Sequence, residues 1–247
     1  MTRMLASVAT LEEVAQALSY GADFIDLNDP AQGALGAWPL EAIPAAVQQA
    51  GGRKPVSATV GDLPMRPGLV AEAAVRTAST GVDIVKIGFF PGGDRAGCLE
   101  ALGTLARGGV RLVAVLFADR EPDLDLALAL AAAGFFGVML DTADKRAGGL
   151  RDHLDDDELR RFVALGCDAG LLTGLAGSLK LHDVPPLAAL GPDYLGFRGA
   201  LCRGAERTTG LDPVAFQVIR DALSRRATAA AGAQWAAQGA AAGVPGK

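Results

Sequence analysis

The sequence contains few of the residues that build disulfide frameworks or metal sites. Among its 247 residues are three cysteines, Cys98, Cys167 and Cys202, and only two histidines. An odd number of scattered cysteines, outside any CxxC or Cys/His spacing, argues against both a disulfide scaffold and a zinc site. We therefore expect no bound metal and a reducing compartment, the cytoplasm.

Basic runs and long apolar runs are also missing. The net charge of −5 and the pI of about 5.1 argue against nucleic acid or an anionic membrane as a partner. The longest uncharged apolar stretch, residues 126–140, has 15 residues, whereas a membrane-spanning helix needs about 20. We interpret this stretch as a helix followed by a strand. No basic segment precedes an apolar one at Met1, so no signal peptide is predicted.

What the sequence does contain is a regular alternation of β-rich runs with stretches rich in Ala, Leu, Glu and Arg. The predicted strands are Met4–Val8, Ala22–Leu27, Pro55–Val60, Val82–Gly88, Val110–Phe117, Phe135–Asp141, Ala169–Leu175 and Asp193–Arg198. They begin 18 to 34 residues apart, the spacing of a strand, a loop and one packed helix. Eight such units predict an α/β fold, the (β/α)8 TIM barrel. A doubly wound sheet is the main alternative, but its glycine-rich fingerprint after the first strand is missing.

The barrel accounts for most of the chain. We assign residues 1–226 to a single (β/α)8 domain, whose first helix is predicted to begin at Thr10 and end at Gly21. Residues 227–247 are rich in Ala, Gly and Gln and show no clear apolar face. We predict a frayed helix or a disordered tail there.

Five of the predicted strands share one pattern, which opens with a glycine and can be counted forward from it. The segments are 21–28, 81–88, 134–141, 166–173 and 191–198. We interpret each opening glycine, Gly166 among them, as the end of the preceding helix. Side chains alternate between the faces of a strand, and positions +4 and +6 are almost all apolar. We therefore predict that these face the helices and that positions +5 and +7 face the barrel axis: Asp26 and Asn28, Lys86 and Gly88, Met139 and Asp141, Leu171 and Thr173, Gly196 and Arg198.

Positions +5 and +7 also lie late in each strand, which places them at the carboxyl-terminal mouth where barrel enzymes carry their chemistry. By contrast, four aspartates are predicted to begin their strands at the opposite end and to be structural: Asp23, Asp83, Asp168 and Asp193.

Lysine usage singles out one of the mouth residues. The chain has five lysines against eighteen arginines, and Lys86 lies in mid-strand between two apolar residues. A buried ammonium is costly unless it is paired, so its presence favours a chemical role, as imine former or proton carrier. The alternative is a salt bridge from Lys86 to Asp26 or Asp141 that only fills the axis.

Further polar residues follow the later strands. Asp141 and Lys145 form a candidate charged pair over the mouth. Small residues after strands seven and eight are typical of a phosphate cradle in this architecture, and basic side chains accompany them. The candidate phosphate-binding residues are Gly177, Ser178, Lys180, Arg198, Gly199 and Arg203. Ser57 and Thr59, at the mouth of the third strand, are candidate substrate ligands or ordinary strand residues.

At these residues the chain resembles the (5-formylfuran-3-yl)methyl phosphate synthase family of TIM-barrel enzymes, from about Met4 to Leu223. The resemblance is carried by motifs in matching order: Asp26-Leu-Asn-Asp-Pro30, Gly33-Ala-Leu-Gly36, Val56-Ser-Ala-Thr-Val-Gly-Asp62, Val85-Lys-Ile-Gly88, Met139-Leu-Asp-Thr142, Leu175-Ala-Gly-Ser178 and Arg198-Gly-Ala-Leu-Cys-Arg-Gly204.

The resemblance implies a lyase that condenses two molecules of glyceraldehyde 3-phosphate into a phosphorylated furaldehyde, with loss of phosphate and water. This is an early step in making methanofuran or methylofuran, cofactors of one-carbon metabolism. The resemblance further implies a small phosphorylated substrate, no metal or redox cofactor, and catalytic roles for Asp26, Lys86, Asp141 and Lys145. A homo-oligomer is compatible with it.

Position 28 departs from the family pattern, which usually reads Asp-x-Lys-x-Pro with a catalytic lysine where this chain has Asn28. An amide can hydrogen-bond substrate but cannot form an imine. Two alternatives to the synthase therefore stay open: another sugar-phosphate aldolase or isomerase, and a catalytically weak paralogue that binds a phosphorylated metabolite.

Overall fold

The computed structural model describes residues 1–224 and consists of a closed eight-stranded parallel barrel. The strands are β1 Arg3–Val8, β2 Phe24–Leu27, β3 Val56–Thr59, β4 Ile84–Gly88, β5 Leu112–Phe117, β6 Gly137–Asp141, β7 Leu172–Leu175 and β8 Tyr194–Phe197. Each strand pairs with the next, and β8 pairs with β1 to close the ring. The predicted (β/α)8 barrel is confirmed. The predicted tail, residues 227–247, lies outside the described residues.

Helices follow the strands and surround the barrel. They are α1 Leu11–Tyr20, α2 Ile43–Ala50, α3 Pro67–Ala78, α4 Arg95–Arg107, α5 Leu126–Ala133, α6 Leu150–His153, α7 Asp156–Asp168, α8 Val184–Ala189 and α9, residues 213–224, where the described part ends. Short 3-10 helices occupy Ala118–Arg120, Leu181–Asp183, Gly199–Leu201 and Arg203–Ala205. The apolar stretch 126–140 is α5 followed by β6, as predicted.

The first helix begins and ends where the sequence predicts. The Thr10 hydroxyl accepts a hydrogen bond from the Glu13 N–H at 3.1 Å, and Gly21 ends α1 in the left-handed conformation with φ 87°. The sequence from Thr10 to Glu13 suggests a capping box, in which the Glu13 carboxylate would accept a hydrogen bond from the Thr10 N–H. In the structure, this carboxylate accepts from the Ala9 N–H at 2.7 Å. Its other partner is Arg198.

Two apolar cores result from the alternation of side chains along the strands. Outward-facing residues such as Ile25, Val85 and Leu195 pack under the helices. Inward-facing residues fill the barrel axis in a separate cluster that includes Phe24, Ile84, Val113, Met139 and Tyr194. The predicted facing of β2, β4, β6 and β8 is therefore confirmed, and their polar residues at positions +5 and +7 lie at the upper end of the axis.

The predicted facing of β7 is wrong. Helix α7 continues past Gly166 to Asp168, and Gly170, with φ 74°, makes the turn into the strand. Counted from Gly170, the first residue that packs towards the axis is Leu172 at +2 instead of +3, so the turn into β7 is one residue shorter than in the other four strands and the facing is reversed. Thr173 faces outward, where it donates to Asp193 at 3.1 Å, and Asp168 ends the helix instead of beginning the strand.

Gly166 is needed inside α7 because helix and strand approach closely there. A Cβ at this position would lie 2.4 Å from Cγ2 of Thr173, far inside van der Waals contact.

The other three aspartates at the amino-terminal end tie neighbouring strands together, as predicted. Asp23 accepts a hydrogen bond from the Met4 N–H at 3.0 Å, and Asp83 accepts one from the Val56 N–H at 2.8 Å. Asp193 accepts from the Thr173 N–H at 2.8 Å. Each carboxylate therefore satisfies an N–H in the first two residues of the preceding strand in the chain.

We predict that Gly166→Ala destabilises the protein whereas Gly68→Ala does not. Both glycines are helical, so both substitutions gain helix propensity, but a Cβ at Gly68 in α3 meets nothing within 4 Å. The clash with Thr173 should outweigh that gain and lower the free energy of unfolding by about 1–2 kcal/mol. Urea unfolding of the two variants measures this. Equal stability of both would show that α7 can move away from β7 at no cost.

Candidate active site

The carboxyl ends of the strands open into a cavity of about 590 Å³. Its floor is formed by Leu5, Met139 and Gly196, on the barrel axis. The charged and amide side chains in its lining are Asp26, Asn28, Lys86, Asp141, Lys145, Lys180, Arg198 and Arg207. This volume lies within the range of about 300–1,000 Å³ that is usual for small-molecule sites.

A buried ion pair joins β2 and β4 across β3. Nζ of Lys86 lies 3.0 Å from Oδ2 of Asp26, and these side chains are only 3% and 2% exposed. The other carboxylate oxygen, Oδ1, accepts a 2.6 Å hydrogen bond from the Ser57 hydroxyl. Both Asp26 oxygens are thus occupied, and the carboxylate is held in one orientation.

This arrangement can move a proton. An ammonium has no lone pair, so Lys86 can act as a nucleophile or base only after it gives up a proton, and Oδ2 of Asp26 is the acceptor at hydrogen-bond distance. Because both groups are out of water, separating either from its partner is costly. The pair therefore favours reactions in which a substrate oxygen or carbonyl replaces one of the partners.

Tyr194 lies below this pair and does not take part in proton transfer. Burial raises the pKa of its phenol well above the usual value, and the negative charges of Asp26, Asp193 and Asp141 raise it further. Its hydroxyl contacts the sulfur of Met139 at 3.4 Å. The phenol stays neutral and serves as part of the axial packing.

A second lysine–carboxylate pair lies at the end of β6. Nζ of Lys145 contacts Oδ1 of Asp141, and the same oxygen accepts a 2.7 Å hydrogen bond from the Thr142 N–H. The two side chains are 15% and 11% exposed, so this pair is more accessible than the Lys86 pair. It is suited to exchange protons with a bound substrate and with solvent.

Asp119, just after β5, holds the loop that carries Lys145. Its two carboxylate oxygens accept hydrogen bonds from the N–H groups of Ala143 and Asp144, at 2.6 and 2.8 Å. Burial raises the pKa of Asp119, but the hydrogen bonds from Asp144 and Ala143 lower it by more, so that the pKa lies below its ordinary value. The ionised carboxylate therefore fixes the position of the loop.

Asn28 presents an unused acceptor in the cavity lining. Its Nδ2 donates to the carbonyl oxygen of Ala34 at 3.2 Å, and because a carbonyl can only accept, this contact fixes the orientation of the amide. The other atom, Oδ1, is buried and has no hydrogen-bond partner among residues 1–224. A substrate hydroxyl or amine is the kind of donor that would satisfy it.

Backbone N–H groups line the cavity after β7 and β8, as the sequence predicts. Gly177 and Ser178 adopt consecutive positive φ angles of 109° and 49°. No acceptor within residues 1–224 receives a hydrogen bond from the N–H groups of Gly177, Ser178, Gly199 or Ala200. All four residues belong to the cavity lining. We call these four groups the N–H cradle; their arrangement is suited to bind phosphate oxygens.

Arg198 lines the cavity, but its guanidinium is occupied by the protein itself. Nη1 and Nη2 bond to the carboxylate of Glu13, and these side chains are 10% and 8% exposed. The remaining contacts are Nε to the carbonyl of Arg207, Nη1 to that of Ser7 and Nη2 to that of Thr209. The phosphate-binding role expected for Arg198 is therefore not supported by its geometry, because no N–H is left for a ligand.

The remaining candidates divide between the cavity and its surroundings. Lys180 is exposed at the rim and belongs to the lining. Thr59 does not, since its hydroxyl bonds to the carbonyls of Leu27 and Gly36 at 3.3 and 3.1 Å. Ser57 acts below the surface through Asp26, and Arg203 is exposed outside the lining. Ser57, Thr59 and Arg203 therefore lack the direct access to substrate that the sequence suggested.

Three residues that shape the candidate site escaped the sequence analysis: Glu13, Asp119 and Arg207. Asp119 could have been found, because it lies just after β5, at the same end of the barrel as Asp141, the last residue of β6. For Glu13, the sequence Thr10-Leu-Glu-Glu13 suggests only a helix cap. Arg207 is ten residues beyond β8 in an irregular loop, and no periodicity marks it out from Arg203.

Within residues 1–224, no group of three or more His, Cys, Asp or Glu side chains is placed to hold a metal ion. No helix in the same part of the chain is long and apolar enough to span a membrane.

A parallel barrel whose mouth gathers two lysine–carboxylate pairs and an N–H cradle has the features of a TIM-barrel enzyme. The family model described as 4-HFC-P synthase matches residues 4–220. A protein of Methylorubrum extorquens that bears a (5-formylfuran-3-yl)methyl phosphate synthase name is 46% identical over 211 residues, which is 85% of this chain and 86% of its own. The (5-formylfuran-3-yl)methyl phosphate synthase of Methanosarcina mazei is 34% identical over 85% of this chain and 94% of its own. The chain belongs to the (5-formylfuran-3-yl)methyl phosphate synthase family, as the sequence motifs indicate.

Solved structures support the fold alone. The 3-hexulose-6-phosphate synthase of Salmonella typhimurium superposes with a TM-score of 0.65 at 16% identity and covers 91% of this chain and 99% of its own.

We predict that Asp119→Asn destabilises the protein by about 1–3 kcal/mol at neutral pH, because an amide can accept only one of the two loop N–H bonds. The folded-state pKa of Asp119 is lowered, so its contribution is present above the unfolded pKa, near 3.8, and is lost as pH falls through the lower folded value. The stability difference between wild type and variant should therefore narrow below about pH 4.

Urea unfolding between about pH 3 and pH 7 measures this difference. Asp157→Asn is the control, since that carboxylate is 90% exposed. A gap between wild type and Asp119→Asn that stays constant into acid would contradict the role given to the carboxylate.

Proposed function

We propose that this protein is an active lyase that condenses two molecules of glyceraldehyde 3-phosphate into (5-formylfuran-3-yl)methyl phosphate. The atoms balance when one inorganic phosphate and two waters are released. The product serves as a precursor of the furan cofactors methanofuran or methylofuran, in the cytoplasm. The observation that carries the proposal is the convergence of the Lys86–Asp26 and Lys145–Asp141 pairs on one cavity.

The reaction needs an amine or a base that is protected from water. One triose must become a carbon nucleophile, as an enediol or enamine, and attack the aldehyde of the other. Lys86 is suited to this step because its proton can pass to Asp26, 3.0 Å away. The freed amine either adds to the carbonyl, with loss of water as the imine forms, or removes the proton next to that carbonyl.

Elimination and ring closure then need protons at other atoms. Loss of phosphate requires removal of a proton on the neighbouring carbon and leaves a double bond, and each dehydration requires protonation of a departing hydroxyl. The Lys145–Asp141 pair is the second acid–base unit in the lining and is more accessible than the first. The N–H cradle is suited to hold the phosphate that stays in the product.

Asn28 is suited to orient a substrate. Its unpartnered Oδ1 can accept a hydrogen bond from a triose hydroxyl, and the contact of Nδ2 with Ala34 holds the amide for this role. With Asn at this position, Lys86 is the only lysine on the barrel axis within the described residues, and it takes the imine role if one forms.

We predict that Lys86→Ala lowers turnover of glyceraldehyde 3-phosphate by about 10²–10⁴-fold, because it removes the amine. Release of inorganic phosphate and the absorbance of the furaldehyde follow the reaction. Lys86→Arg keeps a cation beside Asp26 but cannot form an imine. Loss of turnover in this variant would show that the reaction needs the amine and not only the ion pair. Lys54→Ala is the matched control, because Lys54 pairs with Asp23 at 3.3 Å, away from the cavity lining.

Borohydride reduction during turnover, followed by peptide mapping, tests the imine. We expect the reduced adduct on the peptide that contains Lys86. An adduct on Lys145 or Lys180 would move the imine role to that residue, and no adduct would favour acid–base chemistry throughout. Wild-type protein that releases no phosphate above a buffer blank would overturn the proposed function.

The departure at Asn28 favours one second candidate: a family member that binds a phosphorylated metabolite without efficient turnover. We expect Asn28→Lys to lower or leave unchanged the turnover of the wild type, because lysine loses the contact with Ala34 and brings a second ammonium near Lys86. A large gain in kcat, with a wild type that binds but does not react, would support the second candidate instead.

A panel of three- to five-carbon sugar phosphates tests whether Asn28 has changed the substrate.

A further inference from the structure

We propose that Arg207 is a phosphate-recognition residue of this site, placed on the β2 side of the cavity and separate from the N–H cradle. The inference deepens the proposed function and rests on it only for the identity of the phosphate's carrier.

The charges in the cavity lining are unevenly compensated. Lys86 is paired with Asp26, Lys145 with Asp141, and Arg198 with Glu13. Two lining cations, Lys180 and Arg207, form no ion pair with a carboxylate among residues 1–224. The site therefore has a surplus of positive charge, which an anionic ligand would compensate.

Arg207 differs from Lys180 in being half-buried and held in place. Its Nη2 donates to the carbonyl of Gly33, in the loop after β2, at 3.2 Å, and this is the one hydrogen bond that its side chain makes within residues 1–224. A guanidinium has five N–H donors, so four are left without a protein partner. Burial lowers the pKa of Arg207, opposed chiefly by Asp141, yet a guanidinium remains charged in proteins.

The backbone that carries Arg207 is fixed by the buried pair of Arg198 and Glu13. Nε of Arg198 donates to the carbonyl of Arg207 at 2.7 Å, and Nη2 donates to that of Thr209 at 3.1 Å. Arg198 thus uses all its donors within the protein, two of them to position the loop, whereas Arg207 keeps four of its five donors free. The proximity of Arg198 to β8 suggests that Arg198 binds the ligand. The contacts instead leave Arg207 as the arginine with free donors.

Position in the barrel separates Arg207 from the cradle. Arg207 belongs to the loop after β8, as Gly199 and Ala200 of the cradle do, but its guanidinium extends past β1 and contacts Gly33 in the β2 loop. Two triose phosphates bring two phosphate groups, and one cradle holds one of them. A forked guanidinium with free N–H groups binds phosphate oxygens in pairs, and Arg207 is placed to hold the second.

Calorimetric titration with sn-glycerol 3-phosphate, which has the phosphate but no carbonyl, tests the inference on the full chain without turnover. Arg207→Gln keeps a donor for Gly33 but removes the charge, and we expect it to weaken binding at least about tenfold. Arg207→Lys should recover part of the affinity as a point charge. Arg203→Gln, an exposed arginine in the same loop, should bind within twofold of wild type, and glycerol should show no dependence on Arg207.

Kinetics add a second measurement. We expect Arg207→Gln to raise KM for glyceraldehyde 3-phosphate more than it lowers kcat. Binding by Arg207→Gln within twofold of wild type, or no binding by the wild type, would overturn the inference even if the enzyme is active. Binding that depends on Arg207 in a protein that does not turn over glyceraldehyde 3-phosphate would uphold the inference and overturn the proposed function.

Discussion

The ion pair between Lys86 and Asp26 constrains the rest of the site, because two opposite charges out of water tolerate little freedom in their surroundings. They lie on β2 and β4, so β3 must run between them in a fixed register, and Ser57 on β3 occupies the second oxygen of Asp26. A closed barrel meets this requirement well. Its strands cannot slide without moving every neighbour, and its axis excludes solvent below the cavity.

Carboxylates at both ends of the barrel fix neighbouring backbone segments by accepting hydrogen bonds from their N–H groups. At the amino-terminal end, Asp23, Asp83 and Asp193 accept hydrogen bonds from N–H groups near the start of the preceding strands. At the carboxyl-terminal end, Asp119 holds the loop after β6, and Asp62 accepts from the N–H groups of Ala34 and Leu35 at 2.8 and 2.9 Å. Loops that would otherwise move are thus fixed to neighbouring strands. Lys145 and Asn28 are presented from backbone that is anchored in this way.

The fold could be predicted from the regular spacing of eight strand–helix units, and the centre of the site from the period of two within each strand. Once the strands were located, alternation alone placed Asp26, Lys86 and Asp141 on one face. The same rule failed at β7, because the turn from Gly170 into this strand is one residue shorter than the turns into the other four strands. In addition, the sequence pattern takes Gly166 for the glycine that ends the helix. A glycine that ends a helix and a glycine that lets a helix approach a strand look alike in sequence. Only the packing against Thr173 distinguishes them.

The arginines could not be assigned from sequence for a different reason. Arg198 continues the alternation of β8, and the pattern correctly placed it at the mouth. Whether its donors are free depends on Glu13, which is 185 residues away in the chain. Arg207 depends on the course of an irregular loop. Sequence position thus indicates which charges reach the cavity, but it does not indicate which of them the protein has already neutralised.

Asn28 shows how one substitution changes the electrostatics of such a site. A lysine there would place two ammonium groups on the axis beside the single carboxylate of Asp26, so that only one could be fully paired. With the neutral amide, Asp26 serves Lys86 alone at 3.0 Å, and the axis carries no surplus charge. The surplus is instead at the rim, on Lys180 and Arg207, where phosphate groups can approach from solvent. In the proposed function, the charge that attracts the phosphorylated substrate is thereby separated from the charge that serves the chemistry, because Lys86 can transfer its proton to Asp26 without a second cation competing for the same carboxylate.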